Sequence, residues 1–357
     1  MVQEVRWQYY PRVAAHPAAR AFVESLVKRQ QAAKTVDAYA RNLEDLLRTW
    51  PEAPPERVTE ADAADLDDYL AGLHCRPPAR PNSTVARTSG TGLADATIQQ
   101  RLVTVRLFYD FCIHRQLRRN PVNPVPRGHW RGASPQRGPV PRKQRLPWIP
   151  SDDQWRALLA DLFRHEPVRN RALVLLAYDA ALRRRELLGL RLDDVDWASG
   201  LLHVRAEHAK GGRARRVPVS PAAELLLRHY VQTVRAHLLA GFGGEAAGPL
   251  FLSESQRNPG APLRPGAFND IVDRLRARLA LPELHPHTFR HLRCTVLKRC
   301  GVDLADIALF AGHASTQSTQ LYLHLAPTEV ARRIRDATAA FDADMRHLIE
   351  EHVHERA

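Results

Sequence analysis

Residues 201–220 read LLHVRAEHAKGGRARRVPVS. Leu202, Val204 and Ala206 alternate with polar neighbours, Val217 and Val219 do so later, and Lys210-Gly211-Gly212 stands between the two runs. A period of two on either side of a glycine-containing turn predicts an antiparallel hairpin. The sequence around it runs at helical spacing instead. PSDDQWRALLADLFRH (150–165), PVRNRALVLLAYDAA (167–181) and RRRELLGLR (183–191) precede the hairpin as helices. PAAELLLRHYVQTVRAHLL (221–239) follows it, and helices continue to the end, interrupted by a glycine-rich segment at 241–265. From near Leu146 onward the expectation is a mixed α/β domain, mainly helical, with one small antiparallel sheet.

Upstream the pattern is purely helical, in four segments: PAARAFVESLVKRQ, TVDAYARNLEDLLRTW, TEADAADLDDYLAGL and ADATIQQRLVTVRLFYDFCIHRQL. In the last of these Ile98, Leu102, Val105, Phe108, Tyr109 and Cys112 recur at steps of three and four and mark one buried face. Thr35, Thr59 and Asp95 stand where helix N-caps are expected. A Pro/Gly/Ser/Thr-rich loop fills residues 76–92. Between Arg118 and Arg145 lie eight basic residues and no acidic one, interleaved with proline and glycine, which predicts a cationic linker. Its one-signed composition favours contact with phosphates over a tether that touches nothing, with Arg127, Arg131, Arg142, Lys143 and Arg145 as candidates. The expected organisation is a helical domain at 1–120, the linker at 121–147, a second domain at 148–335 and a C-terminal helix at 336–357.

A chain of 357 residues can bury two cores, and 44% hydrophobic with 25% charged residues is ordinary for a globular protein. No run of about 18 apolar residues suggests a membrane span. MVQEVRWQYYPRV carries no export signal, so a cytoplasmic protein is expected. Cys75, Cys112, Cys294 and Cys300 form no CxxC pair, which argues against a disulfide framework or a zinc knuckle. The net charge of +13 suits a polyanion such as nucleic acid.

Four islands concentrate reactive residue types: ALRRRELLGL (181–190), AKGGRARRVP (209–218), HPHTFRHLRCT (285–295) and AGHASTQSTQLYLHL (311–325). In this order and at these separations they resemble the tyrosine recombinases, or phage-integrase family. That pattern is an Arg-x-x-Glu, a hairpin Lys, a His-x-x-Arg, a Gly-His and a Tyr nine residues past that His. The resemblance spans roughly residues 17–335 and includes the helical domain, similar to the family's core-binding, SAM-like domain down to the Asn120-Pro121 pair. It implies Arg183 and Arg290 as phosphate-clamping arginines, Lys210 as hairpin lysine, His287 and His313 as the two histidines, and Tyr322 as nucleophile. Glu186 and His291 take supporting places, and Arg213 and Arg215 join the linker cations as candidate DNA contacts. Relatives often carry Gly where this chain has Ala181, and Leu where it has Ala311.

Each residue type suits phosphodiester exchange. Two guanidinium forks match the oxygens on which charge accumulates. A phenol with pKa ~10 needs a proton acceptor and alignment, which histidines supply. An ammonium at a hairpin tip can protonate the departing 5′ oxygen. The resemblance implies a 3′-phosphotyrosyl intermediate, a Holliday junction and rejoining without ATP, cofactor or metal. It also implies duplex DNA with specific recombination sites as partner and a tetramer in the synaptic complex, the enzyme mobilising or integrating a DNA element. A type IB topoisomerase and a non-catalytic DNA-binding regulator are the alternatives.

By composition alone Arg183 is one of three adjacent arginines, and Arg213 competes with Lys210 as the hairpin cation. His287 and His291, four apart, have zinc-ligand spacing, with His285, Cys294 or His313 as a third ligand. HExxH is absent, however, and Arg290 between them is a poor neighbour for a dication. His324 is read as a phosphate neighbour or simple surface. In the tail Phe341, Met345, Leu348, Ile349 and Val353 form an apolar stripe. In the family such a segment commonly packs on a neighbouring subunit; folding back on its own domain is the alternative.

Overall fold

The computed structural model describes residues 4–76, 92–125, 147–209, 212–243, 245, 247–312 and 327–354. It divides into two compact units, Met1–Arg145 and Leu146–Ala357.

The first unit is all helical: α1 Pro11–Ala15, α2 Pro17–Lys28, α3 Ala33–Leu47, α4 Pro55–Thr59, α5 Ala63–Cys75 and α6 Asp95–His114. The expected face of α6 is the buried one, from Ile98 through Cys112. Phe108 meets Phe22 edge-on at 6.0 Å. The helix starts differ from the sequence expectation. Thr35 lies inside α3, whose N-cap is Ala32. Thr59 closes α4 and donates to the Pro55 carbonyl, and Asp95 is the first residue of α6, not its cap. The cap of α5 is Asp62, which accepts from the Asp65 amide while the Asp65 carboxylate accepts from the Asp62 amide. Arg118, grouped above with the linker cations, is buried at 6% exposure and donates to the carbonyls of Thr59, Ala61 and Asn120. It closes the helical unit instead of reaching for phosphate. Arg127, Arg131, Arg142, Lys143 and Arg145 lie outside the described residues, as does most of the 76–92 loop.

The second unit opens with α7 Asp152–His165, begun by a reciprocal Ser151–Gln154 cap. Next comes α8 Val168–Asp179, buried at every position from Asn170 to Asp179. Such a helix shows no apolar stripe because no face meets water. After α9 Arg184–Leu188 the chain forms β1 Val195–Asp196, β2 Leu201–Val204 and β3 Arg215–Pro218, an antiparallel sheet in that order. Leu202 pairs with Val217 and Val204 with Arg215, the hairpin expected from the alternation. The remaining helices are α10 Pro221–Tyr230, continued through a π-turn at Val231–Arg235 into α11 Ala236–Phe242, then α12 Ala267–Arg278, α13 Pro286–Arg299, α14 Leu304–Ala311 and α15 Pro327–His354.

Helix α15 packs on α10, β3 and α13 of its own unit, so in the single chain the tail folds back. Among its described side chains Ala331, Ile334, Thr338, Asp342, Met345 and Ile349 are buried. Leu348 and Val353, from the expected stripe, have side chains outside the described set. Asp342 meets Arg293 of α13 at 3.0 Å, and Arg293 also lies 3.2 Å from Asp179 at the end of α8. Asp179 in turn accepts from the Ser220 amide that starts α10. One buried guanidinium thus ties three helices. No helix among the described residues is long and apolar enough to cross a membrane.

Candidate active site

The site is built where α8 hands over to α9. Ala181 turns the chain at φ +47°, in the left-handed region that favours glycine. The turn aims Arg183 inward as the residue capping α9, and Glu186, three positions on, accepts from the Arg183 amide at 2.9 Å and from its Nη1 at 2.8 Å. This settles which arginine faces in. Arg184 donates to Asn269, and Arg185 is exposed. The Glu186 side chain is fully buried, and Arg215 on β3 grips it with both Nη atoms at 3.1 and 2.9 Å. Burial alone would raise this carboxyl, but the hydrogen bonds and charge of Arg215, with those of Arg183, hold it below the ordinary carboxylate range. Arg215, expected among the DNA-contacting cations, is thereby occupied inside the protein with only 10% of its side chain exposed. Arg213 is exposed.

Helix α13 delivers the second arginine. His285 caps it, its Nδ1 accepting from the His287 amide while Thr288 Oγ1 accepts from the His285 amide. One turn in, Arg290 is 4% exposed and donates to the carbonyls of Ala181 at 2.6 Å and Ala311 at 2.5 Å. Burial, then the nearby charge of Arg183, push it down to about 10, so at neutral pH it remains a cation beside another cation, bonded to carbonyls. Such a pair is set to receive an anion. His287 and His291 lie on the same helix as Arg290. Desolvation and then the neighbouring imidazoles and arginines lower His287, and desolvation, His285 and Arg290 lower His291. Both rings are therefore neutral proton acceptors at pH 7. Their ring centroids and that of His285 are 6.4 Å apart pairwise. Among the described residues no group of three His, Cys, Asp or Glu could hold a metal ion.

These parts converge on the last turn of α14. Gly312 ends it in the left-handed conformation at φ +64°. Three successive carbonyls there accept from three arginines: Phe310 from Arg215 at 2.9 Å, Ala311 from Arg290, and Gly312 from Arg183 at 2.8 Å. Cations suit this end of a helix, where the exposed carbonyls leave negative potential. A Cβ on Gly312 would come within 2.9 Å of Arg215 Nη1, so glycine is needed for space as well as for φ. Lys210, His313 and Tyr322 lie outside the described residues, as does His324. His313 directly follows Gly312 in the chain. Sequence reasoning missed the inward role of Arg215 and the part played by Gly189, whose missing side chain leaves room for His208.

Residues 151–329 match the phage integrase family, and residues 19–116 match the phage integrase N-terminal SAM-like domain. The chain belongs to the phage integrase family. It is 31% identical over 307 residues to tyrosine recombinase XerC of Pelobacter propionicus, covering 84% of this chain and 87% of that protein. It is 30% identical over 301 residues to tyrosine recombinase XerD of Ralstonia nicotianae, covering 83% and 85%. Among solved structures it resembles a lambda integrase dimer bound to a COC′ core site, with TM-score 0.60 at 18% identity over 85% of this chain and 96% of that one. The Tn1549 transposon integrase in complex with circular intermediate DNA gives TM-score 0.59 at 16% identity, over 88% and 98%. Both share its fold.

Proposed function

We propose that this member of the family is a site-specific recombinase that cuts and rejoins duplex DNA through a covalent link between Tyr322 and a 3′ phosphate. The observation that carries the reading is the junction of three distant segments: Arg183 and Arg290 each bond a carbonyl of the α14 terminus, at Gly312 and Ala311, ten and eleven residues before Tyr322. A phosphate seated between the two guanidiniums would gain charge on its non-bridging oxygens as the phenol attacks, where paired planar donors stabilise it most. Imidazoles at His287 and His313 take up the phenolic proton and orient the attack. Lys210 protonates the departing 5′ oxygen, and reversal by another strand's 5′ hydroxyl completes exchange. Glu186 holds Arg183 in place, and His291 lines the same helix. The relatives' complexes with DNA, the net charge of +13 and the basic linker support a DNA partner, with four protomers engaged at two sites.

The test is adduct capture. A nicked suicide duplex drawn from DNA flanking the gene is incubated with the full chain, and protein-linked DNA is separated under denaturing conditions. We expect an adduct with the wild-type chain and none with Tyr322→Phe. An adduct surviving that substitution, or none on any flanking duplex, overturns the reading.

A further inference from the structure

Two guanidiniums of α13 reach the junction between α8 and α9. Arg290 holds the carbonyl of Ala181. One turn further along, Arg293 is 2% exposed and lies 3.2 Å from Asp179, the last residue of α8. The same helix therefore pins, at two points, the turn that aims Arg183. Arg293 is divided, however. Its Nη1 donates to Asp342 Oδ1 of α15 at 3.0 Å, and its Nη2 stands between Asp342 Oδ2 at 3.5 Å and Asp179 Oδ1 at 3.2 Å. Asp179 is divided too, its other oxygen accepting from the Ser220 amide at 2.6 Å.

Two buried carboxylates thus share one guanidinium, and one of them belongs to the tail. Were α15 to leave with Asp342, Arg293 and Asp179 would remain as a balanced pair, with the fork free to close on Asp179. A cavity of about 420 Å³, lined by Ser220, Arg293, Thr338 and Asp342 among others, gives the guanidinium room for that second arrangement. Resting on the function proposed above, we infer that Asp342 is a positioning residue for DNA cleavage: by holding one arm of Arg293 it lets the docked tail set the turn at Ala181, and with it the Arg183–Arg290 pair. A reacting group displaced by about 1 Å loses about 10²-fold in rate. Stability has less at stake, because without Asp342 the buried guanidinium keeps its counter-charge in Asp179.

The experiment uses the full chain. Each variant is measured for melting temperature, affinity for the suicide duplex, single-turnover cleavage at saturating protein, and amide hydrogen exchange across residues 181–189. For Asp342→Ala we expect unchanged melting and affinity, cleavage slower by about tenfold or more, and faster exchange across that stretch. Asp342→Asn keeps an oxygen for Nη1 without the charge and should return cleavage to within about threefold of wild type. Asp179→Asn makes the cut from the other end, leaving one oxygen for two donors, the Ser220 amide and Arg293, and should slow cleavage as Asp342→Ala does. Wild-type cleavage or wild-type exchange in Asp342→Ala, or Asp342→Asn as slow as Asp342→Ala, overturns the inference while leaving the proposed function standing. If Asp342→Ala and Asp179→Asn both unfold, the cluster serves stability and the inference falls. Failure of the wild-type chain to form any adduct removes both readings.

Discussion

Ala181 stands at φ +47°, where a Cβ costs about 1–2 kcal/mol. Its carbonyl is held by Arg290, so the strained turn is locked into the site. Ala181→Gly is expected to stabilise the second unit by about 0.5–1 kcal/mol, the relief of strain exceeding the entropy that glycine adds to the unfolded chain. Urea denaturation measures it, and destabilisation would contradict the assigned conformation. His287 yields a pH prediction. Desolvation and the neighbouring imidazoles and arginines hold it below the ordinary 6.5, so the neutral acceptor predominates at pH 6.5 and the proton is gained mainly further down. The rate of adduct formation should therefore fall with a midpoint below pH 6.5; a midpoint above pH 6.5 would exclude His287 as acceptor. At this scale the sequence was legible where the family pattern supplies a register, as for Arg183 among three arginines. Arg215 was legible in a different way. Continuing the Val219, Val217 alternation two residues back puts Arg215 on the inward face of β3, yet its charge drew it into the count of surface cations.

Helix α15 shows why an element's partner is harder to read than its existence. The expected stripe began at Phe341, whereas among the described side chains the buried face already includes Ala331 and passes through Thr338 and Asp342. An apolar pattern skips those two positions because their burial depends on hydrogen bonds and charge: Thr338 donates to the Ile334 carbonyl, and Asp342 meets Arg293. Arg293→Leu leaves Asp179 and Asp342 buried without a counter-charge and should cost about 3–5 kcal/mol, read as a lower urea midpoint for the second unit. A loss below ~1 kcal/mol would mean that water already reaches the group. The caps fail for two other reasons. Helices α3 and α6 start at Ala32 and Ala94 with no side-chain cap at all, and α5 is capped through the reciprocal Asp62–Asp65 pair, three residues past Thr59.

Across the whole molecule, the division into a helical unit and a mixed one followed from the change of period, from three and four to two, at the hairpin. How the site assembles did not, because its bonds join residues far apart in the chain. The α14 terminus is gripped from 129 residues away by Arg183 and from 95 away by Arg215. Loops of that length close late in folding. During refolding from urea, helical signal should return first and adduct-forming capacity only after the slowest phase; simultaneous recovery would contradict this order. A recombinase built this way is unarmed while immature: until these distant segments meet, the guanidinium pair has no α14 terminus to rest on.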